Sequence, residues 1–276
     1  MPNWQHPLVN QISVLSAVPL ILSSYKSLRA ACDADSWDEL ASPSCRRQNL
    51  ALVTAGIASA LWVNFAPIIT QVPGSVPLAS HQAYTGTMKA ALIGAYGSAA
   101  ALSAAVWRRS LPEDVRNDPL SWPGRVADGV ARSIVSIAPK SIDDPVNVKY
   151  SLLTSGFLVL TAIQTLGPHP LSVIPSWTGR RLARAFPIWT LLAAVTSYDL
   201  KEASEQKGGS SNFSSNYRTL SNGIKGMGAV HLASKVGAVF LDPSFPQSYH
   251  AVQLVPGWAT AAIVFFTLTL RSDEAK

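Results

Sequence analysis

From Ala251 to Leu270 the chain runs twenty residues without a charged side chain. A helix of that length is about 30 Å long, which matches the hydrocarbon core of a bilayer. Six further apolar runs precede it, separated by polar, proline-containing stretches. They predict spans at Val9–Tyr25, Asn49–Gln71, Tyr84–Trp107, Tyr150–Leu166, Ala183–Leu200 and Leu220–Leu241. Charged residues make up only 14% of the chain, against roughly 25% in a soluble domain. That argues against both a soluble α/β enzyme and a disordered chain. The expected fold is all-α: one polytopic membrane domain over residues 1–276 with seven transmembrane helices. Eight tryptophans fit such a protein as interfacial anchors.

The loop charges orient the spans. One side would hold the N-terminus and loops 72–83, 167–182 and 242–250, with only Arg180 and Arg181 as basic residues. The other side would hold sixteen lysines and arginines, seven of them in the long loop 108–149. Positive residues stay on the cytosolic face, so the N-terminus is expected to be lumenal and the C-terminus cytosolic. Cys32 and Cys45 then sit in a reducing compartment and should not pair. The Asn212-Phe213-Ser214 sequon should not be glycosylated. No basic n-region or cleavage site suggests a removable signal peptide. The net charge of +6 flanks apolar runs and forms no clustered face, so no nucleic-acid partner is expected.

Within the long loop, Val126, Val130, Ile134 and Ile137 share a helical face, while Arg125, Asp128 and Arg132 lie off it. This predicts an amphipathic helix over about 124–138, lying on the cytosolic surface or packed on the bundle. Small residues at Gly56 and Ala60, and at Ala90, Gly94 and Ser98, would let helix backbones approach closely.

Polar groups at membrane depth point to function. Asn10, Gln11, Asn64, Lys89, Gln164, Lys235, His250 and Gln253 all fall toward the lumenal half, with His231 near the middle of the sixth span. His231, Lys235 and Asp242 lie within about 40° of one another around that helix. They line either a polar cavity or a snorkelling face. Asp199 and Glu202 stand at the cytosolic end of the fifth span. Asp199 reads as a solvated cap, a partner for Lys225, or an acid reaching inward. Trp62, Trp189 and Trp258 either line a pocket whose ring faces would steady a cation or simply pack. Pro256 and Gly257 interrupt the last span.

Several chemistries lack their residues. There is no phosphate-binding glycine loop, and no third aspartate follows Asp143-Asp144 to hold magnesium for a diphosphate. The last helix has no lysine for retinal. Histidines do not pair at metal-ligand spacing, so neither a metal nor another cofactor is expected.

In size and layout the whole chain resembles the fungal membrane-bound terpene cyclases of meroterpenoid pathways. The local match is Asn64-Phe65-Ala66 beside Trp62. Family members place a glutamate just after this stretch and an aspartate in the last helix. Here those regions read Pro67-Ile68 and Gln253 to Gly257, so any acid must come from elsewhere. The resemblance implies an acid that protonates an epoxide or alkene of a hydrophobic, prenylated substrate, followed by ring closure in a dry cavity. Asp199 or Asp242 would be the acid and His231 the proton acceptor. Asn64, Gln253, Trp62, Lys235, His250 and Trp258 would hold the substrate. The endoplasmic reticulum is the expected membrane. The competing expectation is a small-molecule transporter or a non-catalytic lipid-binding membrane protein. A closed aromatic cavity would favour the enzyme, and a polar path through the bundle would favour transport.

Overall fold

A computed structural model describes residues 17–33, 42–69, 86–166, 177–207 and 215–241. Every regular element among the described residues is helical. In chain order these are α1 (Val18–Asp33), α2 (Pro43–Ile69), α3 (Gly86–Ser110), the single turn α4 (Glu113–Arg116), a 3-10 turn at Pro119–Ser121, α5 (Trp122–Val135), α6 (Pro145–Leu166), α7 (Trp177–Lys207) and α8 (Ser215–Leu241). The span expected at Ala251–Leu270 lies outside the described residues.

The helix starts follow local chemistry. At α2, Ser42 Oγ accepts the backbone N–H of Cys45 at 3.2 Å, and Pro43 takes the first helical position. At α6, Asp144 Oδ1 accepts the N–H groups of Val146 and Asn147 at 3.0 and 3.4 Å, again with a proline, Pro145, following. A side-chain oxygen at the cap satisfies donors the helix cannot. Proline at the first position sacrifices no helical hydrogen bond.

Several helices overrun their apolar windows. Residues 1–16 lie outside the described residues, and α1 continues eight residues past Tyr25, through Lys26 and Arg29, to Asp33. The α2 helix begins at Pro43, before the apolar run starts at Asn49, and α7 continues to Lys207, two turns past Leu200. Residues classed from sequence as loop charges are therefore helical and packed.

The helices stack as α3 on α2, α2 on α7 and α7 on α6, while α8 pairs with α1 and reaches α7. Leu20, Leu52, Tyr150, Phe157, Leu160, Leu192, Leu200, Ile224 and Met227 belong to the shared core. Glycine permits two of these close approaches. A Cβ on Gly223 would sit 1.8 Å from Ser23 Oγ of α1, and one on Gly56 would lie 2.9 Å from Ala100 Cβ of α3. The other small-residue face behaves differently: Gly94 has nothing within 4 Å, and Ala90 and Ser98 are exposed.

Lys89–Ser110 of α3 is long and apolar enough to cross a membrane, and it is the only such stretch among the described residues. Most of its surface is not covered by protein. The amphipathic segment forms α5, two residues earlier than expected at the start and three at the end, with no buried residue. Its Val130 and Ile134 are exposed, Ile134 by 59%. Trp122 is anchored at its start by a 2.7 Å bond from Nε1 to the Val115 carbonyl and an edge contact with Trp107.

Candidate functional site

The helix directions gather one set of ends. The last turns of α1, α3 and α7 and the first turns of α2, α6 and α8 meet at one end of the bundle. Arg46 Nε of α2 donates to the Ser110 carbonyl of α3 at 2.9 Å, and Tyr150 of α6 shares a 3.1 Å bond with Ser221 of α8. A cavity of about 270 Å³ opens at that end between α1, α2, α7 and α8. Ser27, Leu28 and Ala31 line it from α1, Cys45, Gln48 and Asn49 from α2, Asp199 and Gln206 from α7, and Tyr217 and Leu220 from α8.

Asp199 is the charged residue in that lining. It is fully buried, and Arg47 Nε donates to its Oδ1 at 2.9 Å. The same guanidinium pairs with Glu202 through Nη2 and lies over the Tyr198 ring, 4.9 Å from its centroid. Burial weakens the Arg47 cation, but the Asp199 and Glu202 carboxylates outweigh it and hold its proton more tightly than usual. The other carboxylate oxygen, Asp199 Oδ2, is buried without a hydrogen-bond partner. Asn49, 1% exposed, also has an Oδ1 without one, while its Nδ2 points to Cys45 Sγ at 3.7 Å. Two buried acceptors thus belong to residues in one cavity wall. Beneath them the Gln48 amide donates to Ser24 at 2.8 Å and Thr196 at 3.0 Å, tying α2 to α1 and α7. At the rim Tyr217 shares a 2.8 Å bond with Ser44. Burial pushes its phenol pKa up, so it stays protonated near neutrality.

A second ionic cluster adjoins the first along α7. Lys201 Nζ donates to Glu205 at 2.6 Å and to the Ser136 carbonyl at 2.8 Å, and Lys140 reaches Glu205 at 3.1 Å. Ser136 Oγ also meets Tyr198 OH at 2.5 Å. The end of α5 is therefore bonded to the residues flanking Asp199. Burial opposes the Glu205 charge, but hydrogen bonds from Lys201, Asn147 and Lys140 outweigh it and lower its pKa to about 2.

The expected site residues divide. Asp199 is in the cavity wall, and its partner is Arg47. His231 is buried on α8, eleven residues beyond Leu220, which is about 16 Å along the helix. Trp62 is half-buried on α2, thirteen residues past Asn49, and so about 20 Å from the cavity level. Trp189 is packed in the core. Neither tryptophan lines the cavity. Asn64 and Lys235 fall on α2 and α8, but their side chains lie outside the described residues, as do Asp242, His250, Gln253 and Trp258 altogether.

Sequence reading missed Arg47, Gln48, Asn49 and Tyr217. The signal was Arg46-Arg47-Gln48-Asn49, four polar residues abutting an apolar run; their charge was assigned to topology alone. Compared with known proteins, the chain matches no family model, no curated protein and no solved structure.

Proposed function

We propose that the chain is a seven-span integral membrane protein, N-terminus lumenal and C-terminus cytosolic, that binds a small hydrophobic molecule. The molecule places a hydrogen-bond-donating head group in the cavity between α1, α2, α7 and α8. One observation carries this reading: Asp199 and Asn49, both lining the cavity, each keep a buried oxygen without a partner. Such groups cost on the order of 1–3 kcal/mol each when left unsatisfied, and a bound donor removes that cost. Membrane insertion is supported by the apolar, largely uncovered α3. Placing the cavity end in the cytosol follows from the sixteen basic residues on that side. The cavity is smaller than a drug-sized pocket, roughly 300–1,000 Å³, which suits a head group with its tail elsewhere.

The test is thermal unfolding of the detergent-purified protein with 4-hexylphenol as probe. The unfolding midpoint should rise with probe concentration. It should not rise in Ser27→Trp, where the new ring fills the cavity from its half-buried wall. Equal protection of both proteins would refute the location. Protease protection of a C-terminal tag in sealed endoplasmic-reticulum microsomes tests the orientation and the membrane together.

A catalytic version of this reading has one specific support: Asp199, one of the two expected acids, is the carboxyl in the cavity wall. In that version the protein is a terpene cyclase acting on a prenylated substrate by acid-initiated ring closure, without metal. His231 would act as acceptor or relay, and Asn64, Trp62, Lys235, His250, Gln253 and Trp258 would surround the chain. Microsomes given an epoxidised prenyl-phenol should then form cyclised product, and Asp199→Asn should abolish it. Unchanged turnover in Asp199→Asn, Asp242→Asn and His231→Ala would defeat the cyclase assignment and leave the binding reading standing.

A further inference from the structure

We infer that the head group taken by this cavity is a small organic cation, a protonated amine, a conclusion that rests on the binding reading above. Among the described residues the cavity lining contains one ionisable carboxylate, Asp199, and no lysine or arginine. The nearby guanidinium of Arg47 is already committed to two carboxylates, those of Asp199 and Glu202. Counted with the adjoining Lys201, Lys140 and Glu205 the ionic groups sum to zero, and within the cavity lining itself Asp199 is the one charged side chain. Of the two partnerless oxygens, Asn49 Oδ1 accepts hydrogen bonds, and Asp199 Oδ2 accepts them when the carboxyl is ionised, as it is beside a bound cation.

An ammonium offers three donors and a charge opposite to that of the Asp199 carboxylate, and its bonds to a carboxylate are stronger than those between neutral groups. A hydroxyl offers one donor and no charge. A carboxylate or phosphate head would meet Asp199 with no cation in the lining to offset the repulsion. Leu28 and Leu220 supply apolar wall for the first carbons of the tail.

The experiment compares hexylammonium, hexanol and hexanoate at matched concentrations near neutral pH, reading the thermal midpoint of the detergent-purified full chain. Hexylammonium should protect with at least tenfold higher affinity than hexanol, and hexanoate should not protect. Asp199→Asn should weaken hexylammonium tenfold or more while leaving hexanol within about threefold. Should Asp199→Asn fail to fold, Asn49→Asp supplies the second arm. It places an added carboxylate in the same wall and should tighten hexylammonium several-fold. Equal or better protection by hexanol overturns the cation inference and keeps the binding reading, whereas equal or better protection by hexanoate, which donates no hydrogen bond, overturns both. Protection by none of the three overturns both.

Discussion

Replacing Arg47 by methionine should destabilise the protein more than removing the carboxylate it holds. Asp199 is fully buried and Arg47 is 24% exposed, with 2.9 Å between Nε and Oδ1. At an effective dielectric of about 20, unit charges that close attract by roughly 6 kcal/mol. Taking them out of water costs several kcal/mol per ion, so the pair as a whole is near neutral. Breaking it from one side is not neutral. Arg47→Met strands a buried carboxylate that already has one partnerless oxygen, and should cost about 3–5 kcal/mol. Asp199→Leu leaves Arg47 partly exposed and still paired with Glu202, so its cost should stay under about 2 kcal/mol. The double variant Arg47→Met/Asp199→Leu leaves no stranded charge in the pair. It should be at least about 1.5 kcal/mol more stable than Arg47→Met alone. The measurement is a double-mutant cycle on detergent-purified protein, unfolded by titration with sodium dodecyl sulfate and followed by helical circular dichroism. Additivity of the two single changes within about 0.5 kcal/mol would refute the reasoning, as would a cost below about 1 kcal/mol for Arg47→Met.

Three further outcomes are expected. Gly223→Ala would put its Cβ 1.8 Å from Ser23 Oγ and 2.6 Å from Ser23 Cβ. It should destabilise by about 1–3 kcal/mol, and adding Ser23→Gly should recover part of the loss in the same unfolding assay. Glu205 has its pKa lowered from 4.5 to about 2 in the folded chain. The unfolded state therefore takes up the proton first, and the stabilisation is complete above about pH 4.5 and lost as pH falls towards 2. Thermal midpoints measured between pH 6 and pH 3 should drop less in Glu205→Gln than in the wild type. Ile134→Glu on exposed α5 should change stability in detergent by less than about 0.5 kcal/mol. If α5 lies on the bilayer, the same change should reduce the blue shift of tryptophan emission on reconstitution into liposomes; an unchanged shift would place α5 away from lipid.

The long helices were legible because a long apolar run leaves few alternatives: each described helix except the single turn α4 and the 3-10 turn at Pro119–Ser121 overlaps a predicted apolar run or the amphipathic segment. The helix ends were less legible. A hydropathy window stops where polar residues begin, whereas a helix continues as long as its backbone is bonded and its side chains are accommodated. Arg47, Gln48 and Asn49 lie at such an edge on α2, and Lys201 and Glu205 lie beyond one on α7. Their neighbours bury them: Gln48 by Ser24 and Thr196, Lys201 by Ser136 and Glu205. The pairing of Arg47 with Asp199 spans 152 positions and has no periodic signature, so Lys225, one turn from Leu220, looked the nearer partner. Most polar residues expected toward the lumenal half lie outside the described side chains, but a second polar group is visible at the other end. Asp199, Asn49, Gln48, Lys201 and Ser221 are all buried at the basic end.

That placement bears on the choice between acid and acceptor. A general acid must hold a proton before it can give one, and a carboxyl is kept protonated by surroundings that lack positive charge. Asp199 has the opposite arrangement on one side, with Arg47 bonded to Oδ1, and an oxygen without a donor on the other. Arg47 favours the charged form, full burial disfavours it, and the oxygen without a donor can meet a group from outside the chain. A cyclase acid would also need its cation-steadying aromatic rings close by, yet Trp62 lies about four helical turns beyond the level of the cavity. To start a cyclisation, Asp199 would give its proton from Oδ2 while Arg47 stays on Oδ1 and Glu202. Neither Trp62 nor Trp189 lies in the cavity wall, which favours the proposal of a site that holds a head group over one that protonates it. Amine binding lost in Asp199→Asn, with no cyclised product from the wild type, would be the consistent result.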